Sequence, residues 1–156
     1  MTIKVFISYS HKDEEFKESL VEHLSALKRN STINSWDDRK ILAGQDWKNE
    51  ISENLKESEI ILFLISPSFI ASDYCMNIEF LTAIQMHDDG CAILIPIIVR
   101  PSDLESTQFS SFQAVPKDAI PVITWTHQDE AWVDVIRSIK KSIIEIENIK
   151  KKATLN

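Results

Sequence analysis

The chain has 156 residues, enough for one domain that buries roughly two thirds of the surface its unfolded form would expose. Its 44% hydrophobic and 26% charged residues exclude a disordered chain, and 17 Lys and Arg against 24 Asp and Glu give a net charge of −7, which repels nucleic acid. Two cysteines without CxxC spacing exclude a disulfide framework and a zinc cluster; with neither a basic, apolar leader nor an apolar run of about 20 residues, the expectation is a cytoplasmic chain, or one cut from something larger, with no membrane partner.

Ile3 to Ser8 is a short apolar run rich in β-branched and aromatic residues, predicted as the first strand. Ser10 stands three residues before Asp13 in a capping-box pattern, and Phe16, Leu20, Leu24 and Leu27 follow at helical spacing. Thr32 to Trp36 is a short strand candidate, and the polar stretch Asp37 to Gln45, with Gly44, reads as a functional loop. Asp46 is the predicted cap of a second helix with Trp47, Ile51 and Leu55 on one face. Ile60 to Ile65 is an unbroken apolar run, as suits a central parallel strand covered on both faces.

Ser66 to Tyr74, with Pro67, reads as a loop, after which Asp73 caps a third helix from Cys75 to about His87, ended by Gly90. Cys91 to Val99 is the fourth strand, Arg100 to Ala119 a long irregular link, and Ile120 to Trp125 a fifth strand. Both cysteines read as small core residues. A final helix carries Trp132, Val135 or Ile136, Ile139 and Ile143; residues 1–147 form the domain, and 148–156, with the basic run Lys150 to Lys152, a solvated helix end or linker. Strand and helix alternate, which predicts an α/β, flavodoxin-like three-layer sandwich with a five-stranded parallel sheet in the order 2-1-3-4-5.

Such folds bind ligands outside the carboxyl ends of the strands, where the strand order reverses. That rule brings Ser8, Tyr9, Ser10 and His11, then Trp36 and Asp37, then Ser66 and Ser68 to one rim. The third helix begins beside it, and Glu79 interrupts its apolar stripe between Cys75 and Ala83. By position alone Glu79 reads as a solvated carboxylate near a helix N-terminus. A receiver domain would need an acidic pair after the first strand and an aspartate ending the third, where the chain has Ser8-Tyr9-Ser10 and Ser66. GxxxxGK, GxGxxG, HExxH and GxSxG are all absent, so neither a phosphate cradle nor a metal site nor a serine nucleophile is predicted.

The segments Val5-Phe6-Ile7-Ser8-Tyr9-Ser10, Trp36-Asp37-Asp38-Arg39-Lys40-Ile41-Leu42-Ala43-Gly44-Gln45-Asp46-Trp47, Ser66-Pro67-Ser68-Phe69 with Ser72-Asp73-Tyr74-Cys75 and Glu79, and Pro96-Ile97-Ile98 together resemble a Toll/interleukin-1 receptor (TIR) domain of bacterial type, over nearly the whole chain from Lys4 to about Ile144. Some such domains act only as scaffolds through homotypic TIR–TIR contacts, while many bacterial and plant ones hydrolyse NAD. The resemblance implies that Glu79 is the catalytic glutamate of an NAD nucleosidase releasing nicotinamide and ADP-ribose or a cyclic isomer. It further implies self-association through the loop Asp37 to Gln45 and a role in defence signalling, with a sensor in another domain or protein. NAD is then the substrate, and no resident cofactor is expected. Ser8, Tyr9, His11, Trp36, Asp37, Arg39, Lys40, Ser66 and Tyr74 are the candidate substrate-binding residues, the aromatic ones by stacking and Arg39 or Lys40 at the pyrophosphate. Each has an ordinary reading as well: Trp36 as strand-end packing, Tyr74 as a core lid, Arg39 and Lys40 as solvated loop charges. In the plant-type pattern two residues separate the cysteine from the glutamate; here Met76, Asn77 and Ile78 intervene, and one extra residue swings a side chain by about 100° on an ideal helix.

Overall fold

Four parallel strands lie at the centre of the computed structural model, which describes residues 2–37 and 47–155. They are β1 (Ile3–Ser8), β2 (Ile33–Trp36), β3 (Ile60–Ile65) and β4 (Ile93–Ile98), in the order β2-β1-β3-β4. The unbroken apolar run of β3 does take a central place, paired with β1 from Val5 opposite Ile60 and with β4 from Ile60 opposite Ile93. All six of its residues are buried, because both faces of the sheet are covered.

One face carries Val5, Ile7, Leu62 and Leu64 against α1 (Glu14–His23), α2 (Ser25–Arg29) and α6 (Gln128–Leu155). The other carries Phe6, Ile61, Phe63 and Ile65 against α3 (Trp47–Glu57), α4 (Pro67–Ala71) and α5 (Phe80–Asp88). Helices on both faces of a parallel sheet give the expected flavodoxin-like sandwich.

The fifth strand is a correction. Ile120 to Trp125 forms no strand: Val122–Thr124 is a 3₁₀ turn, preceded by Pro121 and by Asp118 and Ala119 at φ 57°. Proline lacks the N–H a ladder needs, and left-handed backbone cannot lie flat in a strand. The outer edge of β4 is met instead by Val115, whose N–H donates to the Pro96 carbonyl at 2.9 Å and whose carbonyl accepts from the Ile98 N–H at 2.9 Å. Beyond it the Ile123 N–H donates to the Val99 carbonyl at 3.1 Å.

Smaller differences have local causes. The expected loop Ser66 to Tyr74 contains α4, since Pro67 opens a helix without loss at its first position and the Ser66 hydroxyl accepts from the Phe69 N–H at 3.0 Å. Ser72, and not Asp73, caps the third helix, accepting from the Cys75 N–H at 3.2 Å. Gly90 ends α5 at φ 74°, a conformation that favours glycine. Cys75 is in the core, but Cys91 is exposed, because it lies in the turn before β4 begins at Ile93. Helix α6 runs unbroken past the buried Ile146 to Leu155, and Lys150 is ion-paired with Glu59 at 2.9 Å. The expected cap Asp46 and Gly44 lie outside the described residues.

Candidate active site at the strand ends

The carboxyl ends of β1, β3 and β4 are tied together by a polar network. Asp13, in the 3₁₀ turn after β1, does not reach back to Ser10 in a capping box; the Ser10 side chain accepts from the Lys12 N–H at 3.3 Å instead. The Asp13 carboxylate turns inward, accepting from the Ser66 hydroxyl and from Arg100 Nε at 3.0 Å, while Arg100 Nη2 donates to the Ser68 hydroxyl at 2.7 Å. Asp13 is 1% exposed, so its charge has no recourse to water and depends on these partners. No local pattern announces this pair, which is 87 residues apart in the chain.

A second cluster forms on the α1 side. The Tyr9 hydroxyl donates to Glu14 at 2.9 Å, Lys17 lies 5.6 Å from the Tyr9 ring centroid, and Lys17 bridges Glu14 at 3.2 Å and the buried Asp37 at 3.9 Å. The exposed His11 ring stands 5.9 Å from that of Tyr9. Trp36 ends β2 beside them in the chain.

The third cluster belongs to the opposite face. After Ser72 the third helix begins as a π-turn, Cys75–Glu79, in which the Phe80 N–H bonds to the Cys75 carbonyl five residues back. Such a turn holds one residue more than an α-helical turn. The extra residue between Cys75 and Glu79 is therefore taken up in the wider turn, and the 100° swing expected of an ideal helix does not accumulate. Glu79 ends 6% exposed and Cys75 is buried, with its thiol donating to the Tyr9 carbonyl at 3.7 Å. Tyr74 precedes it, half-buried. Below lies a group of rings that holds this segment to the sheet: Phe63 meets Phe69, Phe80 and Phe109 at 5.8, 5.6 and 5.5 Å, and Phe80 stacks on Phe109 at 4.1 Å. Pairs of this kind contribute about 0.5–1.5 kcal/mol each beyond the area they bury.

The structure thus brings Ser8, Tyr9, Ser66 and Glu79 to the rim as buried groups, Asp37 with them on the α1 side, and Tyr74 and His11 nearer the surface. Arg39, Lys40 and the rest of the expected loop, residues 38–45, lie outside the described residues. Among the described residues there is no group of three His, Cys, Asp or Glu side chains fit to hold a metal, and no helix long and apolar enough to cross a membrane. Asp13 with Arg100, and Glu14 with Lys17, are rim residues that sequence reasoning missed.

A family model described as the TIR domain matches residues 5–131. Among curated proteins, an uncharacterized protein, y4lF, of Sinorhizobium fredii is 43% identical over 138 residues, which cover 88% of this chain and 43% of that protein. The disease resistance protein RML1A of Arabidopsis thaliana is 28% identical over 103 residues, covering 65% of this chain and 10% of that protein. The chain therefore spans less than half the length of the curated relatives it matches. Among solved structures, the TIR domain of the Toll-related receptor TRR-2 of Hydra magnipapillata superposes with a TM-score of 0.63 at 18% identity, covering 87% of this chain and 97% of that one. The TIR domains of the activated Roq1 resistosome, which recognises the pathogen effector XopQ, superpose with a TM-score of 0.51 at 21% identity, covering 67% and 61%.

Proposed function

The chain belongs to the TIR domain family, and we propose that it cleaves NAD at the bond between nicotinamide and ribose, with Glu79 as the catalytic carboxylate. The observation that carries this reading is a carboxylate 6% exposed, set by a π-turn at the carboxyl-end rim of a parallel sheet. π-Turns inside α-helices are frequent at functional sites.

The chemistry suits one acid. Sugar hydrolases use two carboxyl groups, one to protonate the leaving oxygen and one to activate water or attack as the nucleophile. Nicotinamide leaves as a neutral molecule, so the remaining task is to hold the ribose and stabilise a cationic, oxocarbenium-like transition state. Glu79 accepts hydrogen bonds from ribose hydroxyls and sets a negative charge against the developing cation, in a site where little water weakens the field. Tyr74, Tyr9 and Trp36 are the stacking candidates, with His11 and Asp37 at the outer rim and Arg39 or Lys40 for the pyrophosphate. Ser66 is occupied by Asp13 and Phe69 and serves by holding the rim. Self-association, with the segment Asp37 to Gln45 as the contact, completes the proposal, and defence signalling is the setting that disease-resistance relatives suggest.

The test is Glu79→Gln, which keeps volume and hydrogen bonding and removes the charge. Concentrated wild-type protein is expected to release nicotinamide from NAD, with specific activity falling on dilution, and Glu79→Gln to be slower by about a hundredfold or more at unchanged fold and assembly. Wild-type turnover that survives in Glu79→Gln rejects the residue; wild type and variant equally inert and equally able to assemble would favour a scaffold.

A further inference from the structure

Ser8 closes β1 and is 1% exposed, yet its hydroxyl has no hydrogen-bond partner among the described residues. Native folds keep few such groups, because a buried hydroxyl that meets neither protein nor water loses its solvation without return. Ser66, equally buried at the neighbouring strand end, shows the ordinary outcome: its hydroxyl donates to Asp13 and accepts from the Phe69 N–H. Among the described residues nothing uses the hydroxyl of Ser8.

Its place points to a use. Ser8 pairs in register with Phe63, so its side chain is on the sheet face that the π-turn and α5 cover. Phe63 packs at 5.6 Å on Phe80, the residue that follows Glu79. The unpartnered hydroxyl and the buried carboxylate therefore share one face of the sheet at the carboxyl ends of its strands. Their chemistries are complementary. An ionised carboxylate only accepts hydrogen bonds, whereas a serine hydroxyl also donates one. The nicotinamide riboside half of NAD carries hydroxyl donors that suit Glu79, and a ring oxygen and a carboxamide oxygen that Glu79 cannot serve.

We propose that the Ser8 hydroxyl is a substrate-binding group that donates a hydrogen bond to the nicotinamide riboside half of NAD. The inference rests on the reading of this chain as an NAD-cleaving enzyme. It assigns the strand-end serine to the same half of the substrate as Glu79, and leaves the adenosine half to the outer rim.

The test is Ser8→Ala, which removes one oxygen and adds nothing. KM for NAD, and Kd for nicotinamide mononucleotide, are expected to rise about three- to tenfold, the loss of one neutral hydrogen bond, while Kd for adenosine monophosphate stays unchanged. The melting temperature is expected to hold or to rise by about 2–4 °C, since an unpartnered buried group has gone. An unchanged KM for NAD, an equal loss with adenosine monophosphate, or a fall in melting temperature that reveals a partner within the fold each overturns the inference. Wild-type protein that neither binds nor cleaves NAD overturns the underlying reading along with it, and is told apart because it appears without any substitution.

Discussion

Replacing Arg100 by leucine should destabilise the protein far more than replacing its partner Asp13 by asparagine. The two ends of the pair differ in burial: the Asp13 side chain is 1% exposed and that of Arg100 31%. In Arg100→Leu the carboxylate keeps, among the described residues, only the Ser66 hydroxyl, and a buried charge stripped of its counter-ion costs about 3–5 kcal/mol. The partial exposure of Arg100 admits some water and brings the expectation to the lower end, about 3 kcal/mol. For a chain of this size that corresponds to a fall of about 6–12 °C in melting temperature. In Asp13→Asn no charge is left buried without recourse, because Arg100 reaches solvent and keeps Ser68, so the expected loss is about 1 kcal/mol. Combining both substitutions removes the stranded charge, and the double variant should lose less than the sum of the singles by at least about 1 kcal/mol. Urea unfolding followed by circular dichroism measures all three. An Arg100→Leu cost within about 0.5 kcal/mol of wild type, or an Asp13→Asn cost that exceeds it, would refute the assignment of Asp13 as a buried charge held by Arg100.

Deleting Asn77, the exposed middle residue of the π-turn, should let the turn close as an α-helix with Glu79 still on its inner face, so that NAD cleavage stays within about tenfold of wild type. Inserting an alanine after Ile78 should instead rotate Glu79 by about 100° and abolish cleavage, and equal activity in both variants would dissociate the turn from the site. At Gly90, φ is 74° and an added Cβ would meet no atom within 4 Å. Gly90→Ala should therefore cost only the backbone strain, about 1 kcal/mol or about 2–4 °C, and Gly90→Asn less, by scanning calorimetry; a much larger fall would mean that a contact had been overlooked.

How far the sequence reveals this protein depends on how local each cause is. The centre of the sheet is legible because a strand covered on both faces carries apolar side chains at every position, as Ile60–Ile65 does. The same rule misleads at Ile120 to Trp125, where the apolar density of a strand meets Pro121 and follows two left-handed residues, Asp118 and Ala119. Pro67 is misread as a loop residue because the hydroxyl that makes it a helix start, that of Ser66, matters only through the Phe69 N–H. At the site, strand-end position points to Ser8, Tyr9 and Ser66, and the family pattern to Glu79. Neither reaches Asp13 with Arg100, whose meeting is set by the order of strands and not by any spacing along the chain. The π-turn leaves one trace only, a residue too many between Cys75 and Glu79, and periodicity alone has no means of reading it.

The outer edge of β4 bears on how copies of this chain can join. A parallel sheet with an open edge offers its last strand as a template for any extended segment that can supply the missing ladder. Here Pro96 has no N–H to offer on that side, Val115 occupies both the Pro96 carbonyl and the Ile98 N–H, and Ile123 holds the Val99 carbonyl. The carboxyl-terminal half of the β4 edge is thereby closed to strand addition. At that end of β4, copies of this chain have to meet through side chains of helices and loops, and not through a shared backbone ladder of the kind that ends in amyloid.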